Sequence, residues 1–388
     1  MTRLGEVAKL ADCEHKTAPE APGGGYFAVG TPAMRENRID LSLAREVSRD
    51  TYDAWTRRMR PADGDILLAR EAPVGPAVFI REAGRIAPGQ RTVLIRAIAQ
   101  QINARYLYYL LIGDRLQGVM REMSLGSTVP HLNVSDVRAL EIGDLPNPST
   151  QRAIGEVLGA LDDKIEANRK IEADVDAFLT VSFEANARGI ETGPVRAVAN
   201  TLLGGTPNRA NEAYWGGDVP WLNSGACNER FITTPSEHIT ELGLEKSAAK
   251  LLPVGTTAVA ITGATLGQMG WIGREMAANQ SVVGVVGPEA HRPWIHYALR
   301  QERDQLLNWA TGGAQQHVNT QAVASVQIRF DVAASERFNE LARPLMDRVV
   351  TGREESQVLA RTRDELLPLL LSGKITVKDA ERSAEEVL

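Results

Sequence analysis

Two halves of this 388-residue sequence echo each other, motif by motif and in the same order. Thr2-Arg3-Leu4-Gly5-Glu6-Val7-Ala8 is matched by Gly193-Pro194-Val195-Arg196-Ala197-Val198-Ala199, and Tyr26-Phe27-Ala28-Val29-Gly30 by Pro220-Trp221-Leu222-Asn223-Ser224-Gly225. Gly64-Asp65-Ile66-Leu67-Leu68 answers Gly255-Thr256-Thr257-Ala258-Val259, Pro73-Val74-Gly75 answers Thr265-Leu266-Gly267, and Pro88-Gly89-Gln90 answers Ala278-Asn279-Gln280. The sharpest match sets Gly126-Ser127-Thr128-Val129-Pro130-His131-Leu132-Asn133 against Gly312-Gly313-Ala314-Gln315-Gln316-His317-Val318-Asn319. A drifting offset with conserved order is what loop deletions in a duplicated unit produce. The chain must therefore fold as two related units. Its length agrees, since domains run to ~100–200 residues each.

Each unit opens with short β-branched runs bounded by Gly or Pro, such as residues 66–69, 77–80, 92–95, 258–261 and 281–286, which predict strands. A helix is expected inside each, over 104–121 and 293–310. Mixed α/β (α+β) globules are thus expected at 1–145 and 191–330, as domains separated by helical spacers at 146–190 and 331–388.

The spacers read differently. After the turn Pro146-Asn147-Pro148-Ser149-Thr150, apolar residues fall at Ile154, Val157, Leu158, Leu161, Ile165, Ile171, Val175, Phe178 and Leu179, one face of a long helix. The second spacer repeats this with Leu341, Leu345, Val349, Val350, Leu359, Leu366 and Leu370, but Pro344, Gly352 and Pro368 predict a kink or an early end. At 1.5 Å rise per residue such a helix is a rod of roughly 50 Å. The two rods are expected to bury their stripes against each other as an antiparallel coiled coil, with a pseudo-twofold relation between the globules.

A net charge of −6 speaks against a broadly basic nucleic-acid surface. Yet residues 1–145 hold 17 arginines and 2 lysines, and arginine's planar fork suits phosphates and guanine edges. The N-terminus lacks a signal-peptide apolar region and no run approaches a membrane span, so a cytoplasmic location without membrane contact is expected. Cys13 and Cys227 make neither a disulfide framework nor a zinc site, and the six histidines show no metal spacing. No catalytic constellation, phosphate-cradling glycine loop or amino-methyltransferase signature is present.

Gln151-Arg152-Ala153-Ile154 through Leu161-Asp162-Asp163-Lys164-Ile165-Glu166 and Asn168-Arg169 resembles the central helical region of type I restriction–modification specificity subunits. Gly204-Gly205-Thr206-Pro207, with Tyr214-Trp215-Gly216-Gly217-Asp218-Val219-Pro220-Trp221, resembles the opening of that family's target-recognition domains. The first globule has Gly23-Gly24-Gly25-Tyr26-Phe27 and departs from that motif. The resemblance implies a non-enzymatic chain that binds double-stranded DNA, each globule reading one half of a split asymmetric site and the helices fixing the gap. It implies two modification subunits docked on those helices and, where present, restriction–translocation subunits. S-adenosylmethionine, ATP and magnesium would belong to those partners, and this chain would hold no cofactor. Two alternatives stay open: a fragment of a fused restriction–methylation enzyme, and a scaffold that binds only protein.

Specificity should come from residues that differ between the units. In the first, Arg35, Arg38, Arg57, Arg58 and Arg70 are candidates, with Arg70 foremost because it follows a strand where Thr262 stands in the other unit. In the second the candidates are Asn208, Arg209, Asn223, Thr262, Gln268, Gln315 and Gln316. His131 and His317 occupy matching positions, so they could hold phosphates but not discriminate bases. Asn133 and Asn319 beside them could instead cap the next segment. Trp215 and Trp221 read as core anchors before base-stacking groups. On the helix, Asp162, Asp163, Glu166 and Arg169 are candidates for partner docking on a solvated face.

Overall fold

The computed structural model describes residues 1–125, 130–311 and 316–388. The chain divides into two compact units, Met1–Lys164 with Val358–Leu388, and Ile165–Gln357. Each long helix, Pro148–Asn186 and Val332–Leu371, is therefore shared between both units.

In the first unit a four-stranded antiparallel sheet runs in the order Ala8–Asp12, Thr92–Ala97, Ile66–Arg70, Val74–Phe79. Arg45–Val47, Tyr26–Val29 and Ile86–Pro88 form a second sheet. Leu67, Ala69, Val78, Ile80 and Leu94 fill the core between them. Burial on both faces explains why the central strand reads as an apolar run and not as an alternation.

The second unit has the same plan. Asn200–Leu203, Val282–Val286, Thr257–Ala260 and Met269–Ile272 pair in the corresponding order, with Phe231–Ile232 added at the edge. Trp215–Leu222 pairs with Glu237–Ile239 and Met276–Ala278 in its second sheet. The duplication thus holds in strand pairing as well as in sequence. The helix expected over 104–121 is two helices, Ala104–Ile112 and Asp114–Ser124, broken at Gly113, and its counterpart is likewise split into Arg292–Gln301 and Arg303–Asn308. A Cβ on Gly113 would lie 2.9 Å from Leu371 Cδ1, so close packing accounts for the glycine at the break.

The early end expected in the second long helix does not occur: Val332–Leu371 is one 40-residue helix through Pro344, Gly352 and Pro368. Gly352 serves close approach here, since a Cβ would come 3.2 Å from Asn168 Oδ1 on the neighbouring helix. Within the second unit the two helices run antiparallel. Asn168 bonds Glu355 and Ser356, Glu172 pairs with Arg353, and Phe183 meets Phe338 edge-on at 6.0 Å. Val175, Leu179, Ala342, Met346 and Val349 share one core with Trp271, Trp294 and Tyr297, so the sheet and its helix segments bury a single apolar body. In the first unit Leu158, Leu161, Leu359, Leu366 and Leu370 are buried as their spacing predicts, and the 148–164 segment is tied to 358–371 by Asp162–Arg363 at 2.6 Å. Phe178 and Leu341 depart from the predicted stripes, with 51% and 40% of their surfaces exposed.

Candidate nucleic-acid interface

Most of the sequence candidates sit at one end of the main sheet in each unit. In the first unit this end is built from residues 13–17 after Asp12, residues 71–73 after Arg70, and the turn 89–91 before Thr92. His131 joins it through a bridge to Glu71. In the second unit residues 204–207, 261–268 and 279–281 leave the equivalent strand ends, and His317 bridges Thr262 and Thr311. Backbone bonds fix the correspondence. Arg70 N donates to Arg91 O (2.8 Å) and Leu132 N to Arg70 O (2.9 Å); Ile261 N donates to Ser281 O (2.9 Å) and Val318 N to Ile261 O (3.0 Å).

That register corrects the leading candidate. Arg70 is the counterpart of Ile261, and Glu71 is the counterpart of Thr262. The Gly64/Gly255 match carried along the strand gives the same pairing, so Arg70 is the last residue of its strand and not the first after it, and its side chain turns inward. It is 9% exposed, donating Nη1–H to Leu132 O (2.7 Å) and Nη2–H to Asp12 Oδ1 (3.1 Å). A guanidinium so placed is consumed by its own fold and offers no fork to a guanine.

The other arginines divide by role. Arg58 donates to Asp12 O (2.9 Å) and Cys13 O (2.7 Å), pinning the 12–14 turn. Arg57 keeps 62% of its side chain exposed while pairing with Glu14 at 2.9 Å. Arg35 and Arg38 flank a tight hairpin whose tip, Glu36 and Asn37, has φ of 49° and 58°. Arg35 Nε donates to Pro32 O (3.1 Å), and Arg38 faces Glu36 at 3.8 Å. Arg91, which the sequence did not single out, has φ of 70° and pairs with Glu71 at 3.2 Å. A non-glycine residue held in that region at an exposed turn marks a locally constrained position.

In the second unit the Gly-Gly-Thr-Pro motif has a steric explanation. A Cβ on Gly204 would fall 2.1 Å from Asn279 O, and one on Gly205 2.3 Å from the Ala248 backbone. Gly205 O accepts from Trp221 Nε1 (3.1 Å). The motif lets the loop press onto the 278–280 turn, where Thr206 Oγ1 donates to Gln280 Oε1. The first unit builds the same contact from Thr17 and Gln90 at 3.4 Å, so Thr17-Ala18-Pro19 stands where the motif was missing. Neither pair was singled out as functional from sequence, although the two glutamines were visible in the repeat.

Arg209 stacks over Trp215 (3.6 Å to the ring centroid) and lies 5.1 Å from the centre of Trp221. It also grips Glu237 with two bonds of 2.6 and 2.7 Å, and this holds the Glu237 carboxyl below its ordinary range. Trp221 is buried and Trp215 meets it edge-on at 5.3 Å, as core anchors would. Asn208 Oδ1 accepts from Ala210 N (3.0 Å) and Asn223 Oδ1 from Gly225 N (2.8 Å). Thr262 and Gln268 are half-buried in the 261–268 connection, and Gln316 is exposed with its carbonyl accepting from Gly263 N at 3.0 Å. Gln315 lies outside the described residues. His131 and His317 are exposed, while Asn319 caps the following helix through Ala322 N (2.8 Å) and Asn133 forms a capping box with Asp136.

The helix candidates fall in two groups. Asp162 accepts from Tyr109 Oη–H (2.6 Å) and Arg363 (2.6 Å) with 11% of its side chain exposed. Asp163 pairs with Arg81 and Arg105. These carboxylates bind the first unit to itself, which corrects the solvated-face reading for Asp162, while Asp163 keeps 43% of its side chain exposed. Distant arginines neutralise them, and sequence periodicity cannot show that. Glu166 and Arg169 remain on a partly exposed face, 3.7 Å apart. A cluster not foreseen is Asp176, 3% exposed, which accepts from Arg300, Arg230 and Tyr297.

Among the described residues no group of three or more His, Cys, Asp or Glu could hold a metal ion, and no helix is long and apolar enough to cross a membrane. A family model described as "Type I restriction modification DNA specificity domain" matches residues 1–177 and 189–330. The chain is 21% identical to the type I restriction enzyme MjaIX specificity subunit of Methanocaldococcus jannaschii, over 96% of this chain and 94% of that one. It is 20% identical to the type I restriction enzyme HindI specificity subunit of Haemophilus influenzae, over 80% and 86% respectively. A type I restriction–modification S subunit from M. genitalium shares the fold with a TM-score of 0.58 at 14% identity, covering 95% of both chains.

Proposed function

This chain belongs to the type I restriction–modification DNA-specificity family, and from that membership we propose how its two units divide the work. A specificity subunit of this family recognises DNA within a multisubunit complex. Each unit reads one half of a bipartite, asymmetric site with the loop end of its main sheet. The long helices set the gap between the halves and dock two modification subunits. Methylation, with S-adenosylmethionine, belongs to those partners, and ATP- and magnesium-dependent translocation and cleavage belong to restriction subunits where these accompany the complex. The assembly works in the cytoplasm.

One observation carries this reading: equivalent strand ends in the two units present different side chains on the same frame, Glu71 against Thr262 and Arg91 against Ser281. A duplicated frame with divergent tips suits two readers of unlike half-sites, since base contacts specify while shared backbone contacts only position. The test is methylation-aware sequencing of host DNA with and without this gene. Loss of one split adenine-methylation motif on deletion supports the reading, and an unchanged methylome overturns it.

A further inference from the structure

We propose that Gln90 and Gln280 are a matched pair of DNA-backbone anchors, each offering its side-chain N–H to a phosphate oxygen at the same place in its half-site. The inference rests on the DNA-reading function above and adds the residues that position the readers.

Three observations lead here. Both glutamines sit at the exposed tip of the same turn, before Arg91 in one unit and Ser281 in the other, and both turns lie at the reading end of the sheet. Both are held by a threonine from the loop that follows the outer strand, Thr17 and Thr206, whose hydroxyl donates to the amide oxygen. In the second unit two glycines that admit no side chain exist to bring that threonine onto the turn. In the first unit Gln90, Thr17, Arg45 and Arg91 line a concave cavity of about 390 Å3 on this end.

The chemistry selects the ligand. Reading adenine takes both ends of a carboxamide, the oxygen on N6–H and the nitrogen on N7. Here the oxygen already accepts a bond, and Gln90 also spends one N–H on His15 O (3.4 Å), so a remaining N–H is what each glutamine has to offer, and a donor alone suits a phosphate oxygen. The pattern of identity points the same way. Tips that differ between units face what differs between half-sites, and a side chain kept together with its holder faces what every duplex shares.

The full chain, copurified with its partner subunits, is titrated with two fluorescent duplexes. One carries the motif found by methylation-aware sequencing, and the other has both halves scrambled. Gln90→Ala and Gln280→Ala should each weaken binding to both duplexes by the same factor, about three- to tenfold for one hydrogen bond that stays open to solvent. Gln90→Glu and Gln280→Glu keep the shape and should weaken binding further at low salt, with the deficit shrinking as salt rises. Thr17→Val and Thr206→Val should give a smaller loss of the same kind. Unaltered melting temperatures show that the variants fold. Unchanged affinity in the Ala and Glu variants, or a loss confined to the motif duplex, overturns the proposal. A wild-type complex that binds neither duplex overturns instead the DNA-reading function itself.

Discussion

Replacing Arg70 separates a structural from a reading role. Arg70→Ala removes charge-assisted bonds to Leu132 O (2.7 Å) and Asp12 Oδ1 (3.1 Å) from a position 9% exposed. Bonds to charged groups are worth about 1.5–3 kcal/mol each when buried. The Asp12 bond is discounted, because that carboxylate is 28% exposed, keeps His15 at 2.8 Å, and can be rehydrated. The loss at Leu132 O and the space left by the side chain remain, for a total of about 2–3 kcal/mol. For a unit of this size that lowers the melting temperature by roughly 5–10 °C. Arg70→Ile copies the residue of the other unit and should lose less than the alanine variant, because apolar contact replaces the cavity. The assay pairs calorimetry with methylation-aware sequencing at a permissive temperature. The expected outcome is a lower melting temperature with an unchanged target. An altered half-site with unchanged stability would refute the reasoning and return Arg70 to the DNA.

Other outcomes follow from the same contacts. Asp176→Asn leaves Arg300 beside a neutral amide in a buried site, while Arg230, 56% exposed, can turn to water, and it should cost about 3 kcal/mol in denaturant titration; a cost under about 1 would show the cluster to be hydrated. Gly204→Ala drives a methyl into Asn279 O, so it should destabilise the second unit and change only the half-site that unit reads, as sequencing of methylated DNA would report. Asp162→Lys with Asp163→Lys should lower the melting temperature of the isolated chain, where a docking face would lose only assembly. His296 is fully buried against Thr257, and burial holds its pKa well below the ordinary 6.5. It stays neutral when folded and protonates when unfolded, so stability is retained above pH 6.5 and falls below it by up to about 1.4 kcal/mol per pH unit. A pH-independent stability between 6.5 and 5 would contradict that.

The duplication, the strands and the two long helices were legible because they rest on periodicity and self-comparison. What escaped depends on contacts between distant segments. Asp162 and Asp163 look like solvated charge beside Lys164, and only the fold brings Arg81, Arg105 and Arg363 to them. Arg70 was set one residue out of register: the match from Gly64 already pairs it with Ile261 and not Thr262, and in a sheet one residue exchanges inside for outside. Pro344 and Pro368 signalled a break that tertiary packing overrode. The Gly-Gly-Thr-Pro motif looked absent from the first unit because its working part is the threonine on a glutamine, which Thr17 supplies without the glycines. Gln90 and Gln280 were visible as an echo, but an echo does not say what it touches.

The most direct measurement is sequencing of methylated host DNA in a strain whose only copy of this gene carries Thr262→Ala, Gln268→Ala and Gln316→Ala together. A split motif in which one half relaxes while the other half and the intervening gap persist is the predicted result. A motif lost in both halves alike, or left untouched, would contradict the assignment of one half-site to each unit.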